Sequence, residues 1–394
     1  MKNKIKKIIY FIQSPFNKRD YDRFGIEVVQ QNGFEVEVWD FGSFLHPHIH
    51  QKVKTGVPDP SDWRGVKYFT SEKEALGAIF KLGSETFVIP IIIFNLNSFK
   101  IYRMISKKRL KYGVIVSNNQ LSPDNGSTVN FLSKIRKLTL KRLPSILFNR
   151  TQFNYLSIQP ASFLLAGGEQ STRGHRYPVN KTTKIIWSHT LDYDIYLRTK
   201  NRQVKADNNM GVFLDEDVPF HSDYLYMGVQ PPATPEEYYP LLCNFFTLLE
   251  NKYNVRIVIA AHPRSRYDNL TDYFQGRPVI RGETVELIKK AGFAITHSST
   301  SVNYPILFEK PIIFITTNRL QQSQQGPLIG LIASKLAKIP INLNNFSKID
   351  WIKEMTFDRK AYLNFKHQYI KKDGSEELPC WQIFANHIKS LDDV

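Results

Sequence analysis

Short apolar runs alternate with helical stripes along the first part of the chain. The run 7–13 (KIIYFIQ) is rich in the β-branched and aromatic residues that strands favour. Residues 21–31 place apolar side chains at helical spacing and stop at Asn32-Gly33, and 34–41 (FEVEVWDF) alternates. This strand–helix–strand opening predicts a parallel sheet with crossover helices. Further strands are predicted at 86–94, 112–117 and 156–166.

A second series of the same kind follows residue 205. Its clearest elements are a helical stripe over 235–252 and the run 255–261 (VRIVIAA), which is apolar throughout, as a strand buried on both faces should be. Other strands are predicted at 210–214, 279–280, 293–296 and 311–316, and helices at 284–291 and 302–309. The polar stretch 198–209 lacks periodicity and is the predicted boundary. The pattern therefore predicts two successive α/β domains, at 1–200 and 205–375.

The C-terminal segment 376–394 carries one more helical pattern. Within it, CWQIFANHIKSL (380–391) places five apolar side chains on one stripe. These side chains are Trp381, Phe384, Ala385, Ile388 and Leu391. We therefore predict a final amphipathic helix.

Composition and charge narrow the function. The 394 residues include 53 Lys+Arg against 36 Asp+Glu, a formal charge of +17, which indicates an anionic partner. The basic residues are scattered, which argues against a nucleic-acid-binding protein. Only two cysteines occur, without metal-like spacing, which argues against a disulfide scaffold or structural zinc. No apolar run reaches the ~20 residues of a membrane span, so we expect a cytoplasmic protein.

Two basic segments are candidates for a membrane-surface contact. Residues 100–113 and 132–148 mix cations with apolar side chains at helical spacing. This pattern favours peripheral contact with anionic lipids at the inner face of the membrane. Solvated helices with an ordinary core face explain the same pattern equally well.

Three strands of the second series end in polar residues. Ligands of open parallel sheets bind at the carboxyl ends of the strands. The polar groups are Asp215-Glu216-Asp217, His262-Pro263-Arg264 and His297 to Ser301. Each has a structural explanation on its own: a solvated turn, a structural histidine or a helix cap. Their position at one edge of one predicted sheet instead favours a binding site.

The serine cluster suits an anion. Free N–H groups and small hydroxyls of Ser298, Ser299 and Thr300 would form a phosphate site at a helix start. His262 and Arg264 would add donors to the same phosphate. The turn Gly282-Glu283-Thr284 is placed to touch a nucleobase or ribose. The sequence contains no P-loop, dinucleotide or G-x-S-x-G fingerprint, so the predicted ligand is a nucleotide held without a glycine loop.

At these residues the sequence resembles a known family. Residues 260–269 (AAHPRSRYDN) and 282–315 are similar to the donor half of bacterial GT-B glycosyltransferases of capsule and lipopolysaccharide assembly, in particular those that use CMP-activated acidic sugars. His262-Pro263 matches the family's HP motif, and Ser298-Ser299 matches its serine pair. The segment 213–223 (FLDEDVPFHSD) is similar to its acidic D/E-D/E-G motif, but Asp217 stands where the family has glycine.

The resemblance implies a GT-B fold of two Rossmann-like domains, an N-terminal acceptor domain and a C-terminal donor domain, that face a central cleft. It also implies that the last helix crosses back to the N-terminal domain. It implies transfer of sialic, pseudaminic or legionaminic acid, or Kdo, from a CMP donor to a glycan or lipid-linked glycan, without a metal or another cofactor. Ser298 and Ser299 would hold the CMP phosphate beside His262. Asp215 or Glu216 would be the base; the departure at Asp217 leaves the choice open.

Two alternatives remain at this point. The segment 188–197 (SHTLDYDIYL) is similar to capsule-export-linked transferases, and Asp192 and Asp194 would then face the cleft and replace the base. Asp192-Tyr193-Asp194 and Asp215-Glu216-Asp217 are also D-x-D strings, a common metal pattern. The first is expected in the N-terminal domain, away from the donor, and the second coincides with the acidic motif that would hold the base, so neither is assigned a metal. In function, the alternative is a polyol-phosphate transferase that uses CDP-glycerol, which shares the GT-B fold and histidines after strands.

Overall fold

The computed structural model describes residues 4–47, 62–118, 121, 147–148, 151–221, 223–224, 228–265, 267, 271–346 and 349–391. These residues form two compact units. The first contains the described residues up to His189, apart from Leu121, together with those from Gly374 onward. The second contains Leu121 and the described residues from Thr190 to Asp373.

The first unit is built on a seven-stranded parallel sheet in the order β3-β2-β1-β4-β5-β6-β7. The strands are β1 Lys7–Ile12, β2 Glu35–Asp40, β3 Val66–Tyr68, β4 Thr86–Ile91, β5 Lys111–Ile115, β6 Phe163–Ala166 and β7 Lys184–Trp187. Its helices before the last are α1 Lys18–Arg23, α2 Ile26–Gln31, α3 Gly42–Leu45, α4 Glu72–Phe80 and α5 Phe99–Lys107, with short 3₁₀ turns at Phe153–Leu156 and Glu169–Thr172.

The second unit repeats this architecture with six parallel strands in the order β10-β9-β8-β11-β12-β13. They are β8 Asp207–Leu214, β9 Arg256–Ala261, β10 Val279–Arg281, β11 Ala291–Thr296, β12 Ile312–Thr316 and β13 Ile341–Asn342. The helices, numbered on through the chain, are α6 Leu191–Thr199, α7 Pro235–Tyr253, α8 Thr284–Lys290, α9 Asn303–Leu307, α10 Asn318–Gln322, α11 Gly326–Lys335, α12 Trp351–Glu354 and α13 Arg359–Phe365, with a 3₁₀ turn at Thr300–Val302 and a π-helical turn at Lys366–Ile370. Two Rossmann-like units confirm the predicted fold class.

The helix predicted over 21–31 is two helices in the structure. The chain breaks at Gly25, whose φ of 55° is left-handed, and a β-carbon there would lie 2.2 Å from the indole of Trp381. Glycine therefore lets the last helix approach the backbone closely.

Other element predictions were too long or missed short strands. The strand predicted over 156–166 forms only at Phe163–Ala166, and the helix predicted over 302–309 is a 3₁₀ turn followed by α9. The strands β3, β7 and β13 escaped prediction because they are short and lie at the sheet edges. At such edges the packing that favours apolar strand residues is weaker.

The C-terminal helix, α14 Cys380–Ser390, belongs to the first unit. Trp381 Nε1 donates to the carbonyl of Arg23 at 2.6 Å. Phe384 meets Phe87 and Phe163 edge-on, with ring centroids 6.2 and 5.9 Å apart. Of the stripe predicted from the sequence, Trp381, Phe384, Ala385 and Ile388 lie on the buried face of this helix. Leu391 follows the last helical residue and is half-buried.

The second unit begins at Thr190 rather than near 205, because α6 packs inside it. Asp192 on α6 accepts a hydrogen bond from Asn303 on α9 at 2.9 Å, and Tyr193 is buried in the same apolar cluster as Ile306. The polar stretch 198–209 thus lies within the second unit rather than between the two.

The basic segment 100–113 contains α5, whose apolar residues Ile101, Tyr102 and Ile105 are buried in the first unit's core. The apolar side of α5 is therefore an ordinary core face, which is the alternative explanation given for this segment in the sequence analysis. The second segment, 132–148, lies outside the described residues except for its last two. Within the described chain, no helix combines the length and apolarity needed to cross a bilayer.

Candidate functional site

The second sheet reverses its winding between β8 and β11. From β8 the chain adds β9 and β10 on one side, and then returns to pair β11 with the other side of β8. Loops that leave adjacent strands in opposite directions open a crevice at the carboxyl edge, where ligands of such sheets bind. The acidic segment that follows β8 lies at this point.

Asp215 ties the end of β8 to the end of β9. Its Oδ1 accepts the Asp217 N–H at 3.0 Å, and its Oδ2 accepts the His262 N–H at 3.1 Å and the Tyr267 hydroxyl at 2.9 Å. Burial raises the pKa of this carboxyl group, and the three hydrogen bonds oppose the rise. Both oxygens of Asp215 are therefore committed to holding the loop ends together.

Glu216 makes the corresponding connection to β11. Its Oε1 accepts the N–H groups of His297 at 3.1 Å and Ser298 at 2.7 Å, and its Oε2 accepts the Ser298 hydroxyl at 3.0 Å. Desolvation raises the pKa of Glu216, and these donors oppose it. The sequence predicted that the N–H and the hydroxyl of Ser298 would bind a phosphate. In the structure both donate to the Glu216 carboxylate instead.

Asp217 occupies a backbone conformation that suits glycine. Its φ is 50°, in the left-handed region that glycine enters freely and aspartate tolerates better than most residues. Burial, and then the charge of Asp215, raise the pKa of Asp217 to about 7, while the Tyr267 hydroxyl, 3.3 Å from its Oδ1, and the charges of Arg264 and Arg281 oppose the rise.

Two histidines form a pair beside this segment. His262 Nδ1 accepts the Arg264 N–H at 3.3 Å, and His221 Nδ1 accepts the Asp223 N–H at 3.2 Å. Because each Nδ1 is an acceptor, the neutral ring carries its hydrogen on Nε2. The ring centroids are 4.6 Å apart, so the pair brings two Nε2–H donors close together. Burial lowers the pKa of His221 against the opposing charge of Asp223.

Sequence reasoning missed His221. It lies within the segment 213–223 that carries the acidic motif, but nothing in its spacing marks it, and only the fold brings it to His262.

The surroundings of His297 differ from those of His262. Its ring is fully buried; Nδ1 donates to the Ile315 carbonyl at 2.8 Å, and Nε2 accepts from the Tyr238 hydroxyl at 2.8 Å. Burial lowers its pKa to about 4. His297 is therefore a neutral residue that fastens β11 to β12 and to α7.

The remaining candidates on these loops are more exposed. The Arg264 guanidinium pairs with Asp223 at 3.1 Å near the surface, and Pro263 shares its turn. The Ser299 hydroxyl accepts the Ser301 N–H at 3.3 Å and caps the turn that begins at Thr300.

The turn that follows β10 lies at the same edge of the sheet. Gly282 has a φ of 84°, both it and Glu283 are exposed, and Thr284 begins α8. Contact of this turn with a nucleobase or ribose stays a prediction.

The second pair of acids lies on α6, in the second unit rather than in the N-terminal half. Asp192 accepts from Asn303 Nδ2 at 2.9 Å and from the Tyr304 hydroxyl at 3.3 Å, both on α9. Asp194 lies in the same first turn and is half-buried. No group of three or more His, Cys, Asp or Glu side chains placed to hold a metal ion occurs among the described residues.

Comparisons with known proteins support the fold. No protein-family model and no curated protein sequence matches the chain. Among solved structures, the S. aureus MnaA–UDP complex superposes with a TM-score of 0.51 at 12% identity, covering 99% of this chain and 97% of that one.

Two further structures align over nearly the whole chain. The UDP-GlcNAc 2-epimerase of Methanocaldococcus jannaschii has a TM-score of 0.46 at 11% identity, covering 98% and 100% of the two chains. The glycotransferase of kitacinnamycin has a TM-score of 0.45 at 10% identity, covering 98% and 95%. Identities this low show the fold alone: the chain has the GT-B fold of two Rossmann-like domains.

Proposed function

We propose that this protein is a glycosyltransferase that moves an acidic sugar, a nonulosonic acid or Kdo, from a CMP donor to a hydroxyl of a surface-polysaccharide acceptor. The observation that supports it is the junction of three motifs. Asp215 bonds to the N–H of His262, and Glu216 bonds to Ser298. The acidic, HP and serine motifs of the resemblance, far apart in sequence, thus meet at the switch point of the second sheet.

The proposed reaction needs two kinds of group. The acceptor oxygen attacks the anomeric carbon, the bond from that carbon to the phosphate oxygen breaks, and its electron pair leaves with CMP. A carboxylate takes the proton of the acceptor hydroxyl. Donors must stabilise the charge that develops on the phosphate. The second unit offers three acids and, beside them, the Nε2–H groups of His262 and His221.

The phosphate has two candidate positions. A phosphate bound at Ser298 would have to displace the Glu216 carboxylate, which accepts hydrogen bonds from the same donors. A phosphate bound against the imidazole rings of His262 and His221 would leave Glu216 in place. We therefore place the phosphate at the imidazole pair, with Ser299 and Thr300 alongside. No step in this arrangement needs a metal.

The donor assay tests this function. The purified full chain is incubated with CMP-sialic, CMP-pseudaminic and CMP-legionaminic acid, CMP-Kdo, CDP-glycerol and UDP-N-acetylglucosamine, and nucleotide release is measured in the presence of EDTA. We expect CMP release from at least one CMP-sugar. UDP-N-acetylglucosamine is the control donor, because the structural neighbours include UDP-GlcNAc 2-epimerases.

The outcomes separate the function classes. Release from CDP-glycerol alone would assign the polyol-phosphate class instead. Turnover of UDP-N-acetylglucosamine alone, or a strict metal requirement, would contradict the proposed donor chemistry.

Contact with a lipid surface is a separate part of the proposal, because a lipid-linked acceptor would lie at a membrane. Lys100, Arg103 and Lys107 are exposed on α5, whose apolar face is already buried. Each cation near an anionic surface contributes about 1 kcal/mol. Flotation with anionic vesicles should recover more protein than with neutral vesicles, and equal recovery would contradict lipid contact.

A further inference from the structure

We propose that Asp217, rather than Asp215 or Glu216, takes the proton from the acceptor hydroxyl; this assignment rests on the transferase function proposed above. The family resemblance places the base among the first two acids of the motif and a glycine at the third position. In this chain the third position carries a carboxylate, and the hydrogen bonds of the three acids differ.

The first two acids are held by their neighbours. Asp215 accepts two backbone N–H groups and one hydroxyl. Glu216 accepts two backbone N–H groups and the Ser298 hydroxyl. These bonds join β8 to β9 and to β11, and an acid that left them to meet a substrate would release the strand ends. Hydrogen bonds of this kind also oppose the rise that burial causes in the pKa of both carboxyl groups.

Asp217 is held more weakly. Its side chain is buried, yet the only hydrogen bond to it that the described residues supply is the 3.3 Å contact between its Oδ1 and the Tyr267 hydroxyl. A tyrosine has one hydroxyl hydrogen, and the shorter bond to Asp215 Oδ2, at 2.9 Å, takes it. The Asp217 carboxylate therefore keeps acceptor capacity for a substrate hydroxyl.

The electrostatics of Asp217 suit a base near neutral pH. Burial and the charge of Asp215 raise its pKa to about 7, against Tyr267, Arg264 and Arg281. Burial raises the pKa of Tyr224 and Tyr239, and the charge of Asp217 adds to the rise, so Asp217 lies within electrostatic range of both hydroxyl groups. General-base catalysis is most efficient when the pKa of the base lies near the working pH.

Two variants test the assignment. Asp217→Asn removes the base and keeps the shape, and Asp217→Gly restores the family's residue at a φ of 50°, where glycine is unstrained. With the best donor of the assay, we expect both to lower kcat by about 10²–10⁴-fold and to leave the Kd for CMP within about twofold. The kcat of the wild type should rise as the pH increases through about 7, where Asp217 loses its proton. The residual kcat of the two variants should show no such rise.

Asp207→Asn is the matched control, since Asp207 lies at the opposite end of β8 and should leave kcat unchanged. If wild type turns over a CMP-sugar and both Asp217 variants keep near-normal kcat, Asp217 is not the base, while the transferase function stands. If wild type turns over no CMP-sugar, the proposed function and the assignment fail together.

Discussion

Two histidines that follow strands of the same sheet lie in different surroundings. His262 follows β9 and His297 follows β11, on the two sides of β8. His297 is fully buried and uses both ring nitrogens on protein partners. His262 is half-buried, and its Nδ1 accepts a backbone N–H while its ring lies against that of His221.

The difference shows what separates a structural histidine from a candidate catalytic one. The sequence places both after apolar strands and beside polar residues, so position alone does not distinguish them. Burial does: the fully buried, neutral ring of His297 is bonded at both nitrogens and has no donor to offer a substrate, whereas the ring of His262 is half-buried. The experiments below separate an effect on turnover from an effect on folding.

The largest effect should come from His262→Ala. If the Nε2–H of His262 stabilises the leaving phosphate, its loss should lower kcat by about 10²–10³-fold, as for other donors to a developing charge. The free energy of unfolding should change by less than about 1 kcal/mol, because the ring is half-buried. Kinetics and urea denaturation measure the two quantities. Near-normal turnover would show that His262 does not contact the phosphate, which would then lie away from the end of β9.

His297→Ala should show the reverse pattern. It opens a cavity and leaves the Tyr238 hydroxyl and the Ile315 carbonyl without their partner. Buried groups left in this way cost about 1–3 kcal/mol each, so we expect the free energy of unfolding to fall by about 2–6 kcal/mol. Turnover per folded molecule should change little at a temperature where the variant is folded. A variant as stable as wild type would refute the structural role.

The pH dependence of stability sharpens the contrast. The pKa of His297 is about 4 in the folded protein, against an ordinary value of 6.5. Below pH 6.5 the unfolded chain takes up a proton that the folded chain refuses, so stability falls as the pH drops toward 4. The full shift corresponds to roughly 3 kcal/mol.

The stability difference between wild type and His297→Ala isolates this contribution. Both proteins share Asp215, Glu216 and Asp217, whose raised pKa values act in the opposite direction. Denaturation at pH 7 and pH 4.5 should therefore show a smaller difference between the two proteins at the lower pH. A difference independent of pH would mean that His297 is not kept neutral by the fold.

The sequence predicted much of the fold because the strands are buried runs between clear turn signals. The strands other than β3, β7 and β13, together with the C-terminal helix, follow from apolar runs and periodicity. The break at Gly25 could not be predicted, because it depends on Trp381, more than 350 residues later. The strand-end residues of the second unit were also named from the sequence, since parallel strands place their carboxyl ends at one edge.

The roles within the site could not be predicted in the same way. Which acid keeps free acceptor capacity depends on hydrogen bonds between loops that are far apart in sequence, such as Glu216 with Ser298. His221 became a candidate only through its ring contact with His262. Charge and residue type indicated an anion site. Which side chains remain available for an anion depends on the hydrogen-bond partners of each side chain in the fold.

The smallest expected effect tests whether the β11 end also touches the ligand. In the structure Ser298 is engaged by Glu216, whereas the Ser299 hydroxyl accepts only a long 3.3 Å bond from the Ser301 N–H among the hydrogen bonds described. If Ser299 lies alongside the phosphate, Ser299→Ala should weaken CMP binding about fivefold, the equivalent of one modest hydrogen bond, with kcat nearly unchanged. Ser334→Ala, on α11, is the matched control. Titration calorimetry measures both affinities. An unchanged Kd for Ser299→Ala would mean that the residues after β11 have only a structural role. The phosphate contacts would then all come from the loops that carry His262 and His221.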